Sequence, residues 1–169
     1  MEKLKTVPAL VWFIGAFTIL IVIGVVSAAP QARADAVISG PVCIIDGNTI
    51  QVGEKVKNGK CWGGISVRLH GSIAPKLNDT CTDADGNVWN CGQKAKDALA
   101  NIIRMNNVSC YHLDGEFFNG TPISTCISGR SDLAMELVKS GMAKALNDQS
   151  NRYELEEKDA KQAKRGLWK

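Results

Sequence analysis

The sequence has little with which to hold a metal through nitrogen or sulfur, and little with which to attract a polyanion. Histidine occurs only at His70 and His112, and no two cysteines stand two to four residues apart, so the ligand spacing of a zinc site is missing. From Asp35 onward 17 basic residues face 16 acidic ones. That balance supplies no basic excess and disfavours a strongly electrostatic DNA or RNA partner. Aromatics are sparse, at 6%, and there are no internal repeats and no low-complexity linkers. With 45% hydrophobic residues, disorder is excluded and one domain with its own core is expected.

What is present begins with a leader. From Val7 to Ala29 no side chain is charged, with Lys3 and Lys5 before the run and Arg33 after it. Two readings stand side by side. The small residues of Ala32-Arg33-Ala34, ahead of Asp35, fit a signal-peptidase site; the apolar run, at roughly 1.5 Å per residue, is also long enough to remain as a membrane-crossing helix through residues 7–29. In both cases the lysines stay inside and the rest is exported. Residues 1–34 are therefore a signal peptide or signal anchor and 35–169 the folded domain, in the periplasm or at the cell surface, anchored to the inner membrane if the leader is kept.

All six cysteines, Cys43, Cys61, Cys81, Cys91, Cys110 and Cys126, lie in the exported part. An even number in an oxidising compartment reads as disulfides. Each consecutive pair brackets a turn-like stretch, Glu54 to Gly59, Asp83 to Asn87 and Asp114 to Pro122, so the expected pairing is Cys43 with Cys61, Cys81 with Cys91 and Cys110 with Cys126. No metal ligation through cysteine is expected.

Alternation of apolar and polar residues from Val37 to Val52, around Asp46-Gly47-Asn48, and again from Ser66 to His70, predicts a β-meander. Leu77 to Asn90 is a loop by composition. Ala95, Ala98, Leu99, Ile102 and Ile103 predict an amphipathic helix over Gly92 to Met105. Two short strands, Val108 to Leu113 and Pro122 to Ile127, flank a polar turn. Asp132 to Ala145 carries Leu133, Leu137, Val138 and Met142 on one face of a second helix, and Tyr153 to Arg165, rich in Glu and Lys, is a third with a solvated face. The order defines an α+β domain.

Five blocks in this order resemble the staphylococcal nuclease (thermonuclease) family. Asp46-Gly47-Asn48-Thr49-Ile50 is similar to its "DGDT" turn, Arg68 to Lys76 to "RLxGIDAPE", Cys91-Gly92-Gln93-Lys94-Ala95 to "CGQxA", Asp132 to Ala143 to "DLNxxLVxxGxA", and Tyr153 to Trp168 to "YxxxExxAxxxxxGLW". The resemblance implies an OB-fold five-stranded β-barrel with about three helices. It also implies calcium-assisted phosphodiester cleavage, in which carboxylates seat the cation, a Glu handles the attacking water and two arginines bind phosphate.

The residues depart from that pattern. Asn48 replaces the second Asp of the turn, Ile73 the next ligand Asp, Lys76 the Glu, and Thr121, in Phe118-Asn119-Gly120-Thr121, the second arginine. Arg68 is the one retained catalytic residue of five. Asp46 remains, but as a supporting residue it would hold calcium poorly alone. The reading is a degenerate member with no cofactor, in which Asp46, Arg68, His70 and Lys76 are the candidate ligand-binding residues.

The partner on this reading is an anionic or carbohydrate ligand or an envelope protein. A nuclease with an altered metal site, using calcium, is the alternative. An accessory role in envelope or exopolysaccharide assembly, assigned to some exported proteins that resemble this family, is a further one. Plainer readings accompany the residues. Arg68 can pair with a surface carboxylate, and Asp46-Gly47-Asn48 is a good hairpin turn. Asp83-Ala84-Asp85-Gly86-Asn87 is a disulfide-closed turn rather than a calcium loop, and Trp62, Trp89 and Trp168 are packing residues. His70 lacks a visible partner.

Overall fold

The computed structural model describes residues 37–53, 56–57, 60–104, 106–148 and 151–169. The leader, its apolar helix and much of the Glu54 to Gly59 turn lie outside the described residues.

The domain begins on β1 (Val37–Gly40) and β2 (Val42–Ile44), two halves of one stretch interrupted at Pro41, followed by β3 (Thr49–Val52), β4 (Val56–Lys57), β5 (Lys60–Cys61), β6 (Ile65–Leu69) and β7 (Ser72–Ile73). A small hairpin, β8 (Cys81–Thr82) and β9 (Val88–Trp89), precedes α1 (Cys91–Ile103). Then come β10 (Val108–Phe118), β11 (Thr121–Ser128), β12 (Ser131–Asp132), α2 (Leu133–Lys139), β13 (Lys144–Ala145) and α3 (Glu154–Gln162).

The main sheet runs β1-β10-β11-β6-β3-β2, with β12 added on β11. Its ladders are antiparallel except for β6 beside β11, where Arg68 faces Ile123 in parallel register. A parallel pair needs a long crossover, and α1 and β10 supply it. The path begins and ends on the two halves of one segment. Pro41 has no N–H to give a ladder, so β1 pairs outward with β10 while β2 turns to β3, and the Gly53 N–H donates to the Pro41 carbonyl at 2.9 Å. The strands thus form one seven-stranded mixed sheet, β12 included, whose first and last members are consecutive halves of a single segment. In-line segments such as β1 and β2 cannot pair with each other, and no ladder joins them.

Three helices form, as the periodicity predicts. On α1, Ala95, Leu99 and Ile103 are buried at four-residue spacing, and they meet Leu133, Leu137 and Val138 of α2 and Ile50, Val67, Leu69 and Val108 of the sheet in one core. Asp132 caps α2, its Oδ1 accepting from the Ala134 and Met135 N–H groups at 3.1 and 3.2 Å, which satisfies two donors the helix leaves open. The second helix stops at Lys139 rather than Ala145. Gly141, at φ 74°, lets the Met142 N–H reach back to the Leu137 carbonyl and its own N–H to that of Val138, a Schellman termination. The freed Lys144-Ala145 then pairs with Ile73 and Ser72.

The expected polar turn Asp114 to Pro122 is also shorter than its composition suggests. Both strands continue to Phe118 and Thr121, and Asn119 and Gly120, with φ of 49° and 77°, close a two-residue hairpin. Asn-Gly is the pair that such a turn favours. Within the expected loop Leu77 to Asn90, β8 and β9 form a hairpin around Asp83, whose Oδ1 accepts from the Asp85 and Asn87 N–H groups. The Asn87 bond chiefly holds the Asp83 carboxyl below its usual range. Trp62 does not pack: it is 70% exposed.

All three expected disulfides are present, Cys43–Cys61, Cys81–Cys91 and Cys110–Cys126. Three such bonds suit an oxidising compartment. Among the described residues no helix is long and apolar enough to cross a membrane.

Candidate functional site

The turn between β2 and β3 is built by Asp46. Its Oδ1 accepts from the Asn48 N–H at 2.8 Å, an Asx turn, so the carboxylate is engaged in local structure. Gly47 is tight for a different reason. A Cβ there would come to 2.6 Å from the Ala95 methyl and 2.9 Å from that of Ala74, which places the turn, the Ala74-Pro75 segment and α1 against one another. Gly92 acts similarly. A Cβ on it would strike the Lys76 carbonyl, and its N–H donates to the Asp79 carbonyl at 3.1 Å. The small residues of three separated motifs therefore share one packing point.

Asn48 is 3% exposed. In one amide orientation its Oδ1 accepts from the Ser72 hydroxyl at 3.3 Å; with oxygen and nitrogen exchanged, the nitrogen donates to the Ser72 carbonyl at 3.0 Å and the oxygen accepts from Arg68 Nε at 3.3 Å, the assignment that pairs both groups. Arg68, half-buried in the middle of the sheet opposite Thr49 and Ile123, stacks its guanidinium carbon 4.4 Å over the Phe118 ring. The surface ion pair considered for it is not formed among the described residues. Its charge meets an amide dipole and an aromatic face instead.

His70 has a partner that local sequence does not show. Its Nε2 stands 3.8 Å from Glu116 Oε2, an ion pair only when the imidazole is protonated, while its Nδ1 and the buried Ser124 hydroxyl have no hydrogen-bond partner. A register shift between His112 and Phe117 in β10 brings Glu116 across. No pattern in the sequence signals that bulge.

Ile73 is 41% exposed, and the Lys76 N–H donates to Asp79 Oδ2 at 2.8 Å, which fixes the loop rather than the ammonium group. Both line a cavity of about 720 Å³ together with Lys144, Asp79 and Leu167. Arg68 does not line it. Thr121 sits at the hairpin end beside the exposed Phe117 and Phe118. The structure thus brings Asp46, Asn48 and Arg68 together, sets His70 against Glu116, and gives Lys76 a separate cavity.

Tested against calcium, these residues do not fit. Hard cations need several oxygen ligands, carboxylates above all, and here Asp46 is the one carboxylate of the turn, its Oδ1 already accepting from Asn48, Asn48 offers a neutral amide oxygen with Ser72 and Arg68 as neighbours, and the Ile73 and Lys76 side chains offer no oxygen. Among the described residues no three His, Cys, Asp or Glu side chains gather as a metal site.

The comparison with known families covers four of the five blocks, those from Arg68 onward. A model of the family "Staphylococcal nuclease homologue" matches residues 66–169, beginning on β6 and so downstream of the Asp46 turn. The chain belongs to that family. No curated protein matches it.

Proposed function

We propose that the chain is an exported, catalytically silent member of the family that binds an anionic or carbohydrate ligand instead of cleaving phosphodiesters. One observation carries the reading: where the resemblance calls for a calcium-ligating carboxylate there is a buried neutral amide whose oxygen is committed to Arg68. Ile73 and Lys76 remove the other two carboxylates. Positive charge at Arg68, Lys76 and Lys144 supports direct contact with anions, and the exposed ring of Phe118 beside Arg68 suits stacking on a sugar.

The test is hydrolysis of single-stranded DNA and RNA by the purified, disulfide-intact protein with calcium, magnesium, manganese or EDTA. The expected result is no cleavage above an Arg68→Ala control in any metal. Metal-dependent cleavage lost in that control would overturn the proposal.

A second reading, a nuclease with an altered site, is favoured by one contact, that of Glu116 with His70, two residues along the chain from Arg68. It requires cleavage that disappears in Glu116→Gln. The further reading, an accessory role in envelope assembly, is separated from ligand binding by a glycan screen run beside a pull-down from envelope extracts.

A further inference from the structure

Between the end of α1, the β11–β12 turn and α2 there is a cavity of about 620 Å³, lined by Asn101, Arg104, Ser128, Arg130 and Glu136 among others. It shares no residue with the Arg68 cluster or with the cavity at Lys76. Its volume lies in the range of small-molecule sites.

Two observations point to a ligand. Arg104 and Arg130 both line the cavity, and neither makes an ion pair or side-chain hydrogen bond among the described residues. Ser128 is 5% exposed, and its hydroxyl has no hydrogen-bond partner, an unusual state for a buried polar group. Arg104 follows the last turn of α1, where its charge also offsets the helix dipole. Arg130 has no such duty. It follows Gly129 in the two-residue turn set by pairing of Ser128 with Ser131.

The chemistry of the lining narrows the ligand. Guanidinium forks match the paired oxygens of a carboxylate or phosphate. Glu136 offsets one of the two positive charges and, like the Asn101 amide and the Ser128 hydroxyl, can accept a hydrogen bond from a hydroxyl group. We propose that this cavity binds a small polyhydroxylated anion, a sugar carrying one carboxylate or phosphate, at a site distinct from the Arg68 cluster.

The experiment is calorimetric titration of the full-length, disulfide-intact protein with glucuronate, with glucose 6-phosphate, and with glucose and inorganic phosphate as controls. At least one sugar anion is expected to bind at millimolar concentration or below, and more tightly than either control. The arm that binds tells carboxylate from phosphate. Arg104→Gln and Arg130→Gln are each expected to weaken binding roughly tenfold, and Arg130→Lys, which keeps the charge but loses the fork, by a smaller factor. No binding of either sugar anion overturns the proposal, as does glucose or phosphate binding equally well. Binding lost in Arg68→Ala but kept in Arg130→Gln places the ligand at the sheet cluster and also overturns it. Circular dichroism of each variant shows whether the fold is retained, and Arg130→Lys carries the test if a glutamine variant unfolds.

Discussion

Asn48 and Arg68 are joined by a 3.3 Å contact between the amide oxygen and Nε, so that the residue standing where a cation ligand is expected is already bound to a cation of the protein's own. Asn48→Asp restores the family carboxylate but turns an acceptor oxygen toward the Ser72 carbonyl in a buried position. A loss of about 1–3 kcal/mol is expected, read from urea denaturation. Added calcium should leave the midpoint unchanged, because Ile73 and Lys76 still supply no ligands. A midpoint that rises with calcium would show that the seat survives.

Gly141 and Gly166 touch backbone to backbone. A Cβ on either would run into the other's segment, Arg165 or Gly141, and the Leu167 N–H donates to the Gly141 carbonyl at 2.8 Å. Gly141→Ala also forces a side chain onto a φ of 74°. It should cost about 1–3 kcal/mol. Gly166→Ala should cost a similar amount, with the double variant less destabilised than the sum since both disturb one contact. Thermal melts of the three variants check this.

Tyr153 is buried and donates its hydroxyl to Asp132 Oδ2 at 3.0 Å. Burial first, and then the Asp132 charge, raise its pKa well above the ordinary value. The neutral phenol is therefore favoured in the folded state, and this contribution is complete below the unfolded value of about 10 and is lost as pH rises beyond it. Tyr153→Phe should cost about 1 kcal/mol at neutral pH and make stability less sensitive to pH above about 10. Parallel denaturation curves for both proteins across that range would count against the assignment.

Cys110 and Cys126 face each other across β10 and β11, with a sequence separation of 16. By loop-closure entropy this bond stabilises the fold by about 3 kcal/mol. Replacing both cysteines with alanine should lower the denaturation midpoint accordingly. A reductant should then have a smaller effect on the variant than on the parent.

The sequence by itself determined the helices, since Ala95, Leu99 and Ile103 or Leu133, Leu137 and Val138 can be buried only on one face at helical spacing. It also carried the family and the disulfide pairing, because those are matters of residue identity and order. The tertiary structure decided what identity does not encode. Pro41 and the crossover through α1 and β10 set the mixed sheet, and Gly141 ended α2 early by its left-handed backbone. A bulge in β10 brought Glu116 to His70, which lies 46 positions away in the chain, and Gly47 and Gly92 drew three separated motifs against one another. Such relations depend on which segments approach in space, and a linear pattern holds no record of them.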